Sequence, residues 1–208
     1  MGSATTRLGA VAKDPRATVR AVLRESIAVK QAVLDSQVEV TARVAQAIIA
    51  AVRRGGRVFF FGNGGSAGDS QHLAGELLGR FLQERPAIAG QALTTDTSTI
   101  TAVANDYSYA DVFARQIDGL GRRGDIAVGI TTSGNSPNVI KAFARAKALG
   151  LTTVALTGGR GGRAARVADY AIVVPSSKTP RIQEAHITLG HAICELVEAA
   201  IWPRRRRR

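Results

Sequence analysis

From residue 57 onward the chain repeats one rhythm: a short apolar run, a turn rich in glycine or hydroxyl residues, then a segment of helix length. The apolar runs are 57–62 (RVFFFG), 88–95, 125–131 (DIAVGIT), 152–157 and 170–175. The segments between them are 66–81, 97–120 with a break around Asn105-Asp106, 137–149, a short connection, and finally 179–201. Runs this apolar are strands covered on both faces, and strands separated by crossovers pair in parallel. The expected fold is α/β, a flavodoxin-like three-layer sandwich with a five-stranded parallel sheet.

Two helices are expected ahead of the first strand. Asp14-Pro15 reads as an N-cap followed by proline at the first helical position, and Val19, Val22, Leu23 and Ile27 then recur at helical spacing. A second pattern over 36–54, through Val38, Val44, Ile48, Ile49 and Val52, stops at Gly55-Gly56. At 208 residues the chain divides into a flexible leader (1–14), one domain (15–203) whose first two helices span 15–54, and a disordered arginine tail (204–208).

The net charge of +12 points toward an acidic polymer, but five of those charges are the run Arg204 to Arg208. The other basic residues are scattered singly or in pairs, with no basic patch interleaved with aromatics, so no specific nucleic-acid partner is expected. The lone Cys194 has no disulfide partner, and no apolar stretch is long enough for a secretory signal or a membrane span. A soluble, cytoplasmic protein follows.

Open parallel sheets bind ligands outside the carboxyl ends of their strands. The loop after the first strand, Gly62-Asn63-Gly64-Gly65-Ser66-Ala67-Gly68, formally matches a dinucleotide fingerprint. The acidic residue at the right distance, Glu84, precedes the second strand and is a poor ribose ligand. The loop after the third strand, Thr131-Thr132-Ser133-Gly134-Asn135-Ser136-Pro137, is dense in hydroxyls and opens a helix. Backbone N–H groups at a helix start, with Thr and Ser side chains, make a neutral anion site suited to a phosphate monoester. Both segments also read as ordinary caps and turns.

His72 and Glu76 are four apart on the helix after the first loop, so they share a face with their bases about 6 Å apart. Such a pair holds a divalent metal, shares proton transfer, or simply forms a surface ion pair. On the last helix Gln183 and His191 are eight apart, about 12 Å along the axis. One metal would then require both side chains to reach toward a midpoint, or residues from more than one subunit. His186 competes as a ligand; Cys194 is better read as a small core residue.

The stretches GNGGSAGDSQHLAGELLGRF, ALTTDTSTITAVANDYSYADVFARQI, TTSGNSPNVIKAFARAKALG and RIQEAHITLGHAICELVE resemble the sugar isomerase (SIS) family, specifically its bacterial phosphoheptose isomerases, collinearly over about 17–202. The resemblance implies an SIS domain and a metal site, usually zinc, at His72, Glu76, Gln183 and His191, with Glu76 and His191 in acid–base catalysis. It places Asn63, Gly64, Gly65, Asn105, Asp106, Thr131, Thr132, Ser133 and Ser136 at the substrate, with Ser66 and Arg80 also facing the sugar phosphate and Gln183 shared between substrate and metal.

The implied reaction is aldose–ketose isomerisation of sedoheptulose 7-phosphate in heptose precursor biosynthesis. The implied assembly is a homotetramer with sites at subunit interfaces, in which the N-terminal helices bury Val38, Val44, Ile48 and Val52. A non-catalytic relative that binds a replication initiator is the alternative; such relatives lack the carboxylate and second histidine found here as Glu76 and His191. Pro180 stands where the family is often acidic, removing one expected hydroxyl contact, and Thr131 replaces the serine of some members while keeping the hydroxyl.

Overall fold

The computed structural model describes residues 14–203; the leader up to residue 13 and the arginine tail lie outside the described residues. Five parallel strands, β1 (Val58–Gly62), β2 (Gly90–Ala92), β3 (Ile126–Thr131), β4 (Thr152–Gly158) and β5 (Tyr170–Val174), form one sheet in the order β2-β1-β3-β4-β5. The helices are α1 (Pro15–Ser36), α2 (Val38–Arg53), α3 (Gly65–Leu78), α4 (Thr97–Asp106), α5 (Val112–Leu120), α6 (Pro137–Leu149), α7 (Gly162–Val167) and α8 (Thr179–Ile201). A single 3-10 turn, Tyr109–Asp111, precedes α5. The α/β sandwich expected from the rhythm of the chain is present. None of the described helices is long and apolar enough to cross a membrane.

Strand periodicity distributes the aromatics to two cores. Phe60 points to the face covered by α2, α3 and α8, beside Val44, Ile48, Leu73, Leu77 and Ile193. Its neighbours Phe59 and Phe61 point the other way, where Phe61 packs on Phe113 and Phe143 at centroid distances of 5.4 and 5.7 Å. The strand order reverses between β1 and β3, which pair from Val58↔Ile126 to Gly62↔Ile130. The carboxyl ends of these two strands therefore sit side by side at the switch point where ligands bind.

Several boundaries follow from local chemistry. Asp14 caps α1 by accepting the Arg16 N–H at 2.9 Å, with Pro15 inside the first turn. Gln37 ends α1 and its Oε1 accepts the Val173 N–H at 2.9 Å, covering the free edge of β5. β2 is shorter than the apolar run 88–95 because it is an edge strand paired only with β1. The expected break in 97–120 falls two residues later, at Tyr107-Ser108, with Asn105 and Asp106 still helical. The connection before β5 contains α7, too short and too rich in glycine and arginine to show apolar periodicity.

Of the apolar face expected to meet a neighbouring subunit, Val38 stays exposed and Val52 partly so, whereas Val44 and Ile48 do not. Val44 and Ile48 are already buried in the chain's own core, because α2 packs on α8. On the first two helices the exposed large apolar side chains are Val19, Val22, Leu23 and Ile27 of α1, with Leu34 and Val38 at the turn between them.

His186 is a core histidine and not a competing metal ligand. It is 1% exposed, its Nε2 lies 3.0 Å from the Thr157 carbonyl, and burial holds its pKa down at about 4. The unfolded chain takes up a proton near pH 6.5 while the folded chain resists until about pH 4. Stability from this neutral imidazole is therefore complete above pH 6.5 and falls as pH drops toward 4, by up to about 3 kcal/mol. Thermal denaturation of the parent and His186→Gln across pH 7 to 4 is expected to show a slope shallower by one proton in the variant.

Candidate active site

The hydroxyl loop is drawn into a tight cup at the end of β3. Thr131 Oγ1 lies 2.8 Å from Ser136 Oγ and 3.5 Å from Ser133 Oγ, and Ser133 Oγ accepts the Asn135 N–H. Ser136 occupies the N-cap of α6 without bonding its backbone, so its hydroxyl stays with the loop. Gly134 adopts φ +67° and lies directly against the backbone of Gly161 and Gly162. The Ala164 N–H donates to Gly134 O, and the Arg163 N–H to Asn135 Oδ1, so α7 buttresses the loop.

Gly134→Ala would require a left-handed backbone and drive a Cβ into Gly161. A roughly tenfold weaker affinity for inorganic phosphate is expected, about 1.4 kcal/mol, measured by calorimetry.

Beside it the glycine loop is held through Asn63. Asn63 Nδ2 donates to Asn138 Oδ1 at 3.0 Å, and Asn63 Oδ1 accepts from Asn138 Nδ2 at 2.8 Å and from the Tyr109 hydroxyl at 3.1 Å. Asn138 is 2% exposed. Neither Asn138 nor Tyr109 stands out in the sequence, since their task is to fix another amide across 75 and 46 residues. Gly62, Asn63, Gly64, Thr94 and Tyr109 contribute to the wall of one cavity.

The three titratable residues singled out by spacing converge. His72 Nε2 lies 3.1 Å from Glu76 Oε1 and 2.8 Å from His191 Nε2, and one potential ligand atom from each of the three lies within 4.8 Å of the others. Two imidazole nitrogens at this distance cannot both carry a proton. Two imidazole nitrogens and a carboxylate gathered this closely are the donor types that zinc takes. The Phe81 ring packs against His191 at 5.5 Å between centroids, closing one side.

Gln183, on α8, lies against the start of α3. Its amide packs on Gly65, where a Cβ would collide with Nε2, and His72 lies seven residues further along α3, about 10 Å. Gly65 is thus small because the Gln183 amide crosses it.

The remaining expected contacts are less uniform. Asn105 and Asp106 are exposed at the end of α4, where the Asn105 amide donates to Asp106. Ser66 is 3% exposed, under Gly62, and its carbonyl accepts from Ser70. Arg80 does not join the phosphate loops of its own chain: it follows α3 at the end opposite Gly65, exposed beside Glu84. Cys194 is buried, and burial pushes its thiol up to about 12, as befits a core residue.

Asp69, one turn before His72, was not foreseen. Its Oδ2 is buried without a hydrogen-bond partner, and burial raises its pKa against the pull of His72. Its i−3 spacing from His72 was the available signal.

The hydroxyl cup at the carboxyl end of β3, beside the loop that follows β1, makes this an α/β protein with a candidate ligand site at the switch point of its sheet, and the His72-Glu76-His191 cluster lies on α3 and α8. The SIS domain family model matches residues 23–158. Phosphoheptose isomerase from Aquifex aeolicus is 50% identical over 89% of this chain and 97% of its own. That from Paramagnetospirillum magneticum is 54% identical over 77% and 84%. The solved phosphoheptose isomerase of Neisseria gonorrhoeae superposes with a TM-score of 0.85 at 42% identity, covering 89% of this chain and all of the other. The chain belongs to the SIS domain family and, within it, to the phosphoheptose isomerases.

Proposed function

We propose that the protein interconverts sedoheptulose 7-phosphate and D-glycero-D-manno-heptose 7-phosphate through an enediol, supplying ADP- or GDP-heptose precursors in the cytoplasm. The observation that carries the reading is the convergence of His72, Glu76 and His191 in a chain belonging to this family. The hydroxyl cup of Thr131, Thr132, Ser133 and Ser136 receives the phosphate. Asn63, its amide held by Asn138 and Tyr109, takes a sugar hydroxyl, as do Asn105, Asp106 and Gln183, because amides and carboxylates supply mixed donors and acceptors.

Isomerisation moves a proton between C1 and C2. Glu76 removes it from carbon as base, and His191 donates to the carbonyl oxygen as acid. Phe81 keeps water from one face of the imidazole. His72, Glu76 and His191 would hold zinc, with Gln183 as a further donor once its amide turns from Gly65 toward them, and the ion would supply Lewis-acid polarisation of the carbonyl. The intact cluster favours catalysis over the non-catalytic alternative.

Assembly is proposed as a homotetramer with active sites at subunit interfaces, supported by the uncovered face of Val19, Leu23 and Ile27. In that arrangement Arg80, remote from its own chain's phosphate loops, serves a neighbour's site. The expected result with sedoheptulose 7-phosphate is turnover that is lost on chelation and restored by zinc; turnover indifferent to a strong chelator would remove the metal from the mechanism.

A further inference from the structure

Glu76 lies two residues before the end of α3, and the carbonyls of that last turn face protein rather than water. The Arg85 side chain, 1% exposed, fills the space they leave. Its Nη2 donates to the carbonyl of Glu76 itself at 2.7 Å, and its Nη1 to Leu77 O at 2.9 Å and Pro86 O at 3.0 Å. A guanidinium there satisfies orphaned carbonyls and suits the negative end of the helix dipole.

Arg85 is fixed in turn by α8. Its Nε donates to Glu198 Oε1 at 2.9 Å, and Glu198, 1% exposed, also accepts the N–H groups of Phe81 and Leu82 at 2.9 and 2.7 Å. Phe81 is the residue whose ring lies on His191. Glu198 is seven residues, two turns, after His191 on one face of the same helix. An ion pair removed from water gains little net stability over apolar packing of the same shape. Placing one here, bonded to the backbone of Glu76 and of Phe81, has a geometric consequence that apolar packing would not reproduce.

We propose that Arg85 and Glu198 are positioning residues for proton transfer, the first holding Glu76 through its own carbonyl and the pair together holding His191 through Phe81. This inference rests on the acid–base reading of Glu76 and His191. Neither residue touches substrate, so their loss should act on the chemical step and spare the binding contributed by the two loops.

The test uses Glu198→Gln and Arg85→Lys in the full chain, at a temperature where both give the parent circular dichroism. The readouts are kcat, KM, the pH profile of kcat, and zinc affinity by chelator competition. Partners that orient metal-binding side chains are worth about 10- to 100-fold in activity or metal affinity. A loss of that size in kcat and in zinc affinity is expected for Glu198→Gln, with KM nearly unchanged, a displaced pH profile, and a smaller loss for Arg85→Lys.

Leu151→Ala, at the amino end of β4, is the comparison: it should lower the melting temperature and leave kcat intact. If Glu198→Gln does not fold, Arg85→Lys carries the same test. Variants that melt earlier yet keep the parent kcat, pH profile and zinc affinity would overturn the proposal. An inactive parent enzyme would refute the catalytic reading instead, while the zinc arm would still report on the clamp.

Discussion

Glu76→Gln is expected to lower turnover of the sugar phosphate by about 10³-fold, within the range that general acid–base groups contribute, while leaving the fold unchanged. The substitution is nearly isosteric. Glu76 is partly exposed, and its side-chain neighbour is His72 rather than a core packing partner, so the amide is accommodated without a cavity. What it loses is the ability to accept a proton from carbon. Initial rates with a fixed substrate, alongside circular dichroism, check this; a rate within a few fold of the parent would move the base elsewhere.

The largest effect on stability is expected from Glu198→Ala. Removal of this carboxylate leaves the Arg85 guanidinium, 1% exposed on its side chain, without its counter-charge, and leaves the N–H groups of Phe81 and Leu82 without an acceptor. Breaking one side of a buried pair costs about 3 to 5 kcal/mol. For a chain of this size each kcal/mol lowers the melting temperature by about 2 to 4 °C, so a fall of roughly 10 °C is expected in a thermal scan. By contrast, Arg145→Ala breaks the exposed pair with Asp118 and should shift the melting temperature little.

Glu198 keeps its charge when other carboxylates begin to protonate. Burial raises its pKa, but the N–H groups of Phe81 and Leu82 and the Arg85 guanidinium outweigh that and hold it below the ordinary value. Its contribution is therefore present above the usual carboxylate range and lost only as pH falls through the depressed value.

Much of this architecture is legible in the amino-acid order because local rules and the global fold agree. α6 begins at Pro137 and ends before Gly150, which takes the left-handed cap, and both limits follow from those two residues. α8 likewise spans the full helical pattern from Thr179 to Ile201. The pairing of His72 with Glu76 is a matter of helical spacing. That His191 joins them depends on α3 and α8 lying side by side, with Gly190 small enough for Leu73 to pack against it.

Features that depend on distant partners were not legible. Arg85 sits in a polar loop and Glu198 on what reads as a solvated face, 113 residues later; only the fold reveals that both are buried. Val44 and Ile48 read as an unpartnered stripe because nothing local indicates that α8 returns to cover them. Arg80 belongs by motif to the sugar phosphate, yet α3 carries it away from the phosphate loops of its own chain. Pro180, in place of an acidic residue, leaves α8 to start on a proline in its first turn, which is good helix chemistry and removes one hydrogen-bonding group near Gln183.

Glu76 and His191 are proposed to carry a proton between C1 and C2 of a seven-carbon sugar phosphate. Incubating the zinc-loaded protein with sedoheptulose 7-phosphate in deuterated water, followed by proton NMR, tests this transfer most directly. An aldose C1 signal is expected that grows with enzyme, comes from sugar carrying deuterium at C2, and is absent with Glu76→Gln. No aldose from the parent enzyme, or equal formation by Glu76→Gln, would contradict it.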